Sequence, residues 1–160
     1  MDQNQIDQIL ANQLGKIGAT GGAIGGAASG VNDSILQAAG FGGAGSAGGN
    51  AGAKWAAKFL KNDVKVISIS LPLTPQQALE KAFGVLSNTG QLIDTSQSTQ
   101  PTVAAIIGSG ISNPAVIIVE VGGNDGTNTQ LTITGIAKEG LIKQRTGEKT
   151  AIKIQNALLS

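Results

Sequence analysis

The two ends of this chain are written in different styles, and the spacing of glycine separates them. Fourteen of its 24 glycines lie in the first 60 residues, together with only six charges: Asp2, Asp7, Lys16, Asp33, Lys54 and Lys58. Side-chain-poor sequence offers little apolar area, so its use is to let another backbone come close. From Val64 onward the composition changes to β-branched runs broken by Pro, Asn and Gly. The boundary falls at Lys61-Asn62-Asp63, read as a short polar hinge. At 160 residues the chain suits one domain, 62–160, preceded by an appendage, 1–61.

Within the first part, Leu10, Ile17, Ile24 and Val31 recur at intervals of seven, and Leu14, Gly21, Ala28 and Ile35 follow four residues behind. Together they predict an apolar stripe on a helix from about Gln3 to the Gly30–Asp33 region. Gly18, Gly22, Gly26 and Gly30 add a strict small-xxx-small row, the expected helix-packing residues. The glycines from Gly40 to Gly52 mark a break and a looser segment, which firms up as AKWAAKFLK. There Trp55, Phe59 and Leu60 share a helical face opposite Lys54, Lys58 and Lys61, so Trp55 and Phe59 are the expected contacts with a membrane or partner.

Residues 14–53 resemble the glycine-zipper helical hairpins of membrane-associated bacterial proteins and pore-forming peptides. The resemblance implies paired small-residue helices inserted in, or lying against, a bilayer. Two magnitudes oppose a full span. Crossing the hydrocarbon takes about 20 apolar residues, and the uncharged stretch Ile17–Asn32 reaches only about 24 Å as a helix. Ser34–Ala53 is long enough, but seven of its 20 residues are glycine and it contains Gln37 and Asn50. A self-packing helical hairpin, a membrane contact and a flexible tail all remain open readings of this segment. The first ten residues, MDQNQIDQIL, are acidic and amide-rich where a secretory signal has a basic start, so the expected location is cytoplasmic, with membrane association through the hairpin as the alternative.

The remainder reads as a domain. In Val64–Leu71 the residues Ile67, Ile69 and Leu71 alternate with Ser68 and Ser70, the mark of a half-buried strand. Thr74 then caps a helix, Pro75 suits its first position, and Gln77 completes a capping box. Ala78, Leu79, Ala82, Phe83 and Leu86 form its expected buried face, and Asn88-Thr89-Gly90 stops it. Gln91–Thr95, Thr102–Gly108, Ala115–Val121 and Thr129–Ala137 are four short runs rich in Val, Ile and Thr, spaced for antiparallel hairpins. A helix over Gly147–Leu159, capped at Thr146, closes the chain, with Ala151, Ile154, Ala157 and Leu158 inward and Lys149 and Lys153 towards water. The order strand, helix, strands, helix predicts an α+β two-layer sandwich: an antiparallel sheet, apolar on one face, covered by helices. In its order of elements this part resembles small helix-on-sheet domains of bacterial lipoproteins and uncharacterised proteins, and a shared order of elements carries no function.

The chemistry the chain can perform is narrow. It has no His and no Cys, which removes the usual zinc ligands, a Ser-His pair and a thiol nucleophile, and no metal or cofactor is expected. A net charge of +1, without aromatic residues among Lys138, Lys143, Arg145, Lys149 and Lys153, argues against nucleic acid as partner. Gly147-Glu148-Lys149-Thr150 ends like a phosphate loop, but the spacing from Gly140 is wrong and Glu148 puts a negative charge where phosphate would sit. It reads instead as a helix start with an acid in its first turn. Gly122-Gly123-Asn124-Asp125-Gly126 reads as a hairpin turn, since a calcium-binding glycine/aspartate repeat works only as stacked copies. Glu120 reads as an edge or solvent-facing carboxylate paired with Lys65 or Arg145, with Asp94, Glu80 and Glu139 able to approach it only through the fold.

The expectation is therefore a non-enzyme, an α+β domain that forms a homo-oligomer or binds a protein partner through its glycine-rich helices. A membrane-surface protein is the first alternative. The second is a domain that holds a small apolar ligand between helix and sheet, lined by Phe83, Leu86, Ile106, Ile118 and Ile133.

Overall fold

The computed structural model describes residues 3–28, 60–96, 98–108, 113–124, 126–139 and 144–160. Among the described residues, three helices and five strands follow in the order α1 (Gln3–Ala28), β1 (Lys61–Leu71), α2 (Pro75–Thr89), β2 (Gln91–Ile93), β3 (Thr102–Ile107), β4 (Ala115–Asn124), β5 (Thr129–Glu139) and α3 (Thr146–Leu159). The strands form one antiparallel sheet in the order β1-β5-β4-β3-β2. The class is α+β, with α2 and α3 layered on the sheet.

Alternation decides which residues meet these helices. Ile69 and Leu71 of β1, Ile117 and Val119 of β4, and Leu131 and Ile133 of β5 share the covered face with Ala78, Ala82 and Leu86 of α2 and Ala151, Ile154 and Leu158 of α3. The inward line of α2 begins with two alanines, which brings its axis close to the sheet. Phe83 lies off that line and is 53% exposed, so its expected place in the buried face is not the one it takes. The capping box at Thr74 forms as expected: Gln77 N donates to Thr74 Oγ1 (3.3 Å), and Thr74 N donates to Gln77 Oε1 (3.1 Å).

Helix α3 starts differently from the expectation. Thr146 is its first residue rather than its cap, and Arg145 precedes it in the left-handed region with φ of 53° and no side-chain capping bond. The free N–H groups of the first turn find carboxylates elsewhere. Thr146 N donates to Glu139 Oε1 (3.2 Å), and Glu148 N donates to Asp63 Oδ2 (3.1 Å). A negative charge at a helix start is favourable, which makes a local cap unnecessary. The same corner depends on close approach. A Cβ on Gly147 would lie 2.6 Å from the carbonyl oxygen of Asp63, and one on Gly135 of β5 would collide with the carbonyl oxygen of Gly147.

The residues read as a hinge, Lys61, Asn62 and Asp63, are the first three of β1, paired with Glu139, Lys138 and Ala137. The expectation of a sheet apolar on one face also needs extending. Ala115–Val119 is buried without a break, because Val116 and Ile118 point to the face opposite α2 and α3. There they meet Ile6 and Leu10 of α1, with Ala104 and Ile136. The first turns of α1 thus add cover to the second face of the sheet.

Candidate functional site

The seat of α1 on the sheet is the most specific polar arrangement among the described residues. Ile6 and Leu10, one turn apart, are buried against the sheet. Each contributes about 1.5–3 kcal/mol by leaving water. Between them Asp7 meets Lys138 of β5, with Oδ1 2.8 Å from Nζ; the lysine side chain is 8% exposed and the carboxylate 39%. Asn62 Nδ2 donates to the same Asp7 oxygen at 3.2 Å. A buried ammonium is costly unless it is paired, so this contact fixes where α1 enters the sheet. Asn113 Nδ2 donates to the carbonyl of Lys138 (2.7 Å), which holds that end of β5 from the backbone side.

Of the expected helix-packing residues, Gly18, Gly22 and Gly26 fall within α1, further along the helix that Ile6, Asp7 and Leu10 anchor. Gly30, Trp55 and Phe59 lie outside the described residues. Of the residues that seat α1, Leu10 belongs to the expected apolar stripe, whereas Ile6, Asp7 and Lys138 were missed by sequence reasoning. Ile6 continues the Leu10 stripe by one turn and was available as a signal, whereas nothing local marks Asp7 and Lys138 as partners.

A second feature is an apolar groove of about 390 Å³ between α2 and the start of β3, lined by Leu79, Glu80, Phe83, Thr102 and Val103. Strand β2 pairs only with positions 104–106 of β3, so the end of β3 under Phe83 stands clear of it. The five residues expected to line a ligand cavity do not converge. Leu86 and Ile133 sit in the core beneath α2 and α3, Ile118 and Ile106 belong to the α1 side, and only Phe83 borders the groove.

The carboxylates are distributed rather than clustered. Glu120 is on the central strand β4, facing Thr102 and Thr132 in the register, and not on an edge. Lys65 and Arg145, its expected partners, approach Glu148 instead, at 3.9 and 3.7 Å. Lys65 projects to the face opposite Glu120, which explains the failure of that pairing. Asp94 accepts from Ser96 N (2.9 Å), and that backbone hydrogen bond, with one from the Ser96 hydroxyl, holds its carboxyl below the ordinary aspartate range. Among the described residues no group of three or more acidic, His or Cys side chains is placed to hold a metal ion, and no helix is long and apolar enough to cross a membrane. No protein-family model matches the sequence, and no curated protein matches it.

Proposed function

We propose that this chain is a non-catalytic assembly protein that associates with a second copy, or with a protein partner, through the glycine row of its N-terminal helix. The observation that carries the reading is the anchoring of α1. Its first turns are tied to the sheet by Ile6, Leu10 and the Asp7–Lys138 pair, while Gly18, Gly22 and Gly26 recur every fourth residue further along the same 26-residue helix. Residues four apart share a helix face, so the three glycines form one side-chain-free strip. Anchoring the start of the helix would lower the entropy lost when such a strip binds.

Sedimentation of the full chain tests this. The wild type is expected to run above monomer mass or with a co-purified partner, and Gly22→Ile to lose the part of that association that runs through α1, with its circular dichroism unchanged. Equal association by both proteins would remove the proposal. The groove under Phe83 favours a second reading, retention of a small apolar ligand, for which native mass spectrometry should find a bound small molecule that Phe83→Glu abolishes.

A further inference from the structure

We propose that the outer edge of β1 pairs antiparallel with β1 of a second copy, about a two-fold axis through Val64, joining two five-stranded sheets into one. This surface is separate from the glycine row, and the inference does not rest on it. Strand β1 is the edge of the sheet, and its eleven residues pair on one side only, in an unbroken register from Lys61↔Glu139 to Leu71↔Thr129. Among the described residues no strand lies beyond it. Long straight edges are normally blunted by a bulge, a proline, short length or charged side chains. The opposite edge, β2, is three residues long, whereas β1 carries no bulge and no proline, and its charges, Lys61, Asp63 and Lys65, are of both signs and confined to one end, Ile67 to Leu71 being uncharged.

Both faces of β1 favour one register. On the α1 side, Val64 and Val66 are 51% and 56% exposed, an unusual state for neighbouring β-branched residues of a strand. On the α3 side stand Lys61, Asp63 and Lys65. A two-fold axis perpendicular to the sheet opposes positions that point to the same face. Centred on Val64, it sets Asp63 against Lys65 of the second copy, twice by symmetry, and Val64 against Val64 with Val66 on the diagonal. Centred on Asn62 it would also oppose Lys61 to Asp63, but would pair only Lys61–Asp63 of the strand and leave Val66 outside. Centred on Asp63 it would oppose Asp63 to itself and Lys61 to Lys65, and centred on Lys65 it would oppose two lysines. Like charges directly opposite are destabilising. Centred on Val66, the charges would face Ile67 and Ile69 with no ionic complement. Lys65 is free to take the new partner, because its Nζ lies at the outer limit of an ion pair, 3.9 Å from Glu148.

The chain contains no cysteine, so a single introduced thiol gives an unambiguous cross-link. In the full chain, Val64→Cys brings two thiols to positions about 5 Å apart at Cβ, whereas Ser68→Cys leaves them roughly 27 Å apart. Mild oxidation is expected to give a covalent dimer at position 64 at least about tenfold faster than at 68. In the Gly22→Ile background, sedimentation across a concentration series is expected to show a monomer–dimer equilibrium, and a dissociation constant raised about tenfold or more by Val64→Lys, an exposed site where the native circular dichroism should persist. In a Gly22→Ile background the cross-link at 64 is expected unchanged. The proposal is overturned by a Gly22→Ile protein that stays monomeric at every concentration, by equal cross-linking at 64 and 68, by Val64→Lys dimerising as strongly as its Gly22→Ile parent, or by loss of the cross-link at 64 in the Gly22→Ile background. A monomer whose β1 amides are nevertheless protected from exchange would assign the edge to another segment of the same chain, and would equally overturn it.

Discussion

The ammonium of Lys138 lies 2.8 Å from Oδ1 of Asp7, joining the end of β5 to the second turn of the N-terminal helix. The lysine is almost wholly buried and the aspartate is not, so the two partners have unequal stakes. Removing the aspartate leaves a desolvated cation, whereas removing the lysine leaves a carboxylate with access to water. Asp7→Ala is therefore expected to destabilise the protein by about 1–3 kcal/mol, below the figure for a fully enclosed pair. Lys138→Met is expected to be near neutral. Urea unfolding gives the magnitudes, and hydrogen exchange should show faster exchange in α1 for Asp7→Ala alone.

The contact between Gly135 and Gly147 has no room for a methyl group, because the obstructing atoms belong to backbone. Gly135→Ala and Gly147→Ala are each expected to cost about 1–3 kcal/mol or more, as overpacking of a rigid contact does. Gly84→Ala, in the middle of α2 with open space around its Cβ position, is the control and is expected to stabilise by a few tenths to about 1 kcal/mol. Thermal unfolding of the three variants distinguishes these signs.

The capping box of α2 is exposed and local, so its loss should be modest and confined. Thr74→Ala is expected to reduce stability by about 1 kcal/mol, and Thr74→Ser to recover most of it. Chemical denaturation at constant m-value is the appropriate measurement.

Asp94 provides a dependence on pH. The hydrogen bond from Ser96 N, and with it that from the Ser96 hydroxyl, favours the carboxylate, so the folded-state pKa lies below the unfolded one. The stability this contributes is fully present above the unfolded aspartate pKa and is lost as pH falls through the depressed folded value. An NMR titration of the Asp94 carboxyl carbon should give a midpoint below the ordinary aspartate value. Asp94→Asn should flatten that share of the acid limb by lowering stability near neutral pH, while leaving stability at low pH little changed.

Much of the sheet and of α2 can be read from the sequence because the signals are local. Ile67, Ile69 and Leu71 alternate with serines, and Thr74-Pro75-Gln76-Gln77 announces a helix start within four residues. The stripe that contains Leu10 gives α1. What escapes is long-range. The acid that satisfies Glu148 N comes from Asp63, 85 residues upstream, and Lys138 finds its counter-ion near the opposite end of the chain. Polar residues in Lys61-Asn62-Asp63 suggest a hinge, yet all three pair with β5, Asn62 donates to Asp7 and Asp63 accepts from the start of α3. Phe83 misleads for a related reason: helical periodicity places it near the buried line, and only the shortness of β2 leaves it uncovered. The β1 edge is not marked as an edge in the sequence, because an unpaired backbone lacks a distinctive chemical signature.

Asp63 belongs at once to the rim of the sheet and to the beginning of the last helix. A protein trimmed at its compositional seam would lose more than a tail: it would shed the apolar lid formed by Ile6 and Leu10, strand the Lys138 ammonium, and fray the strand that steadies α3. The seam visible in the amino-acid usage is thus a poor place to cut, because Ile6, Asp7 and Leu10 from before it rest on strands that come after it.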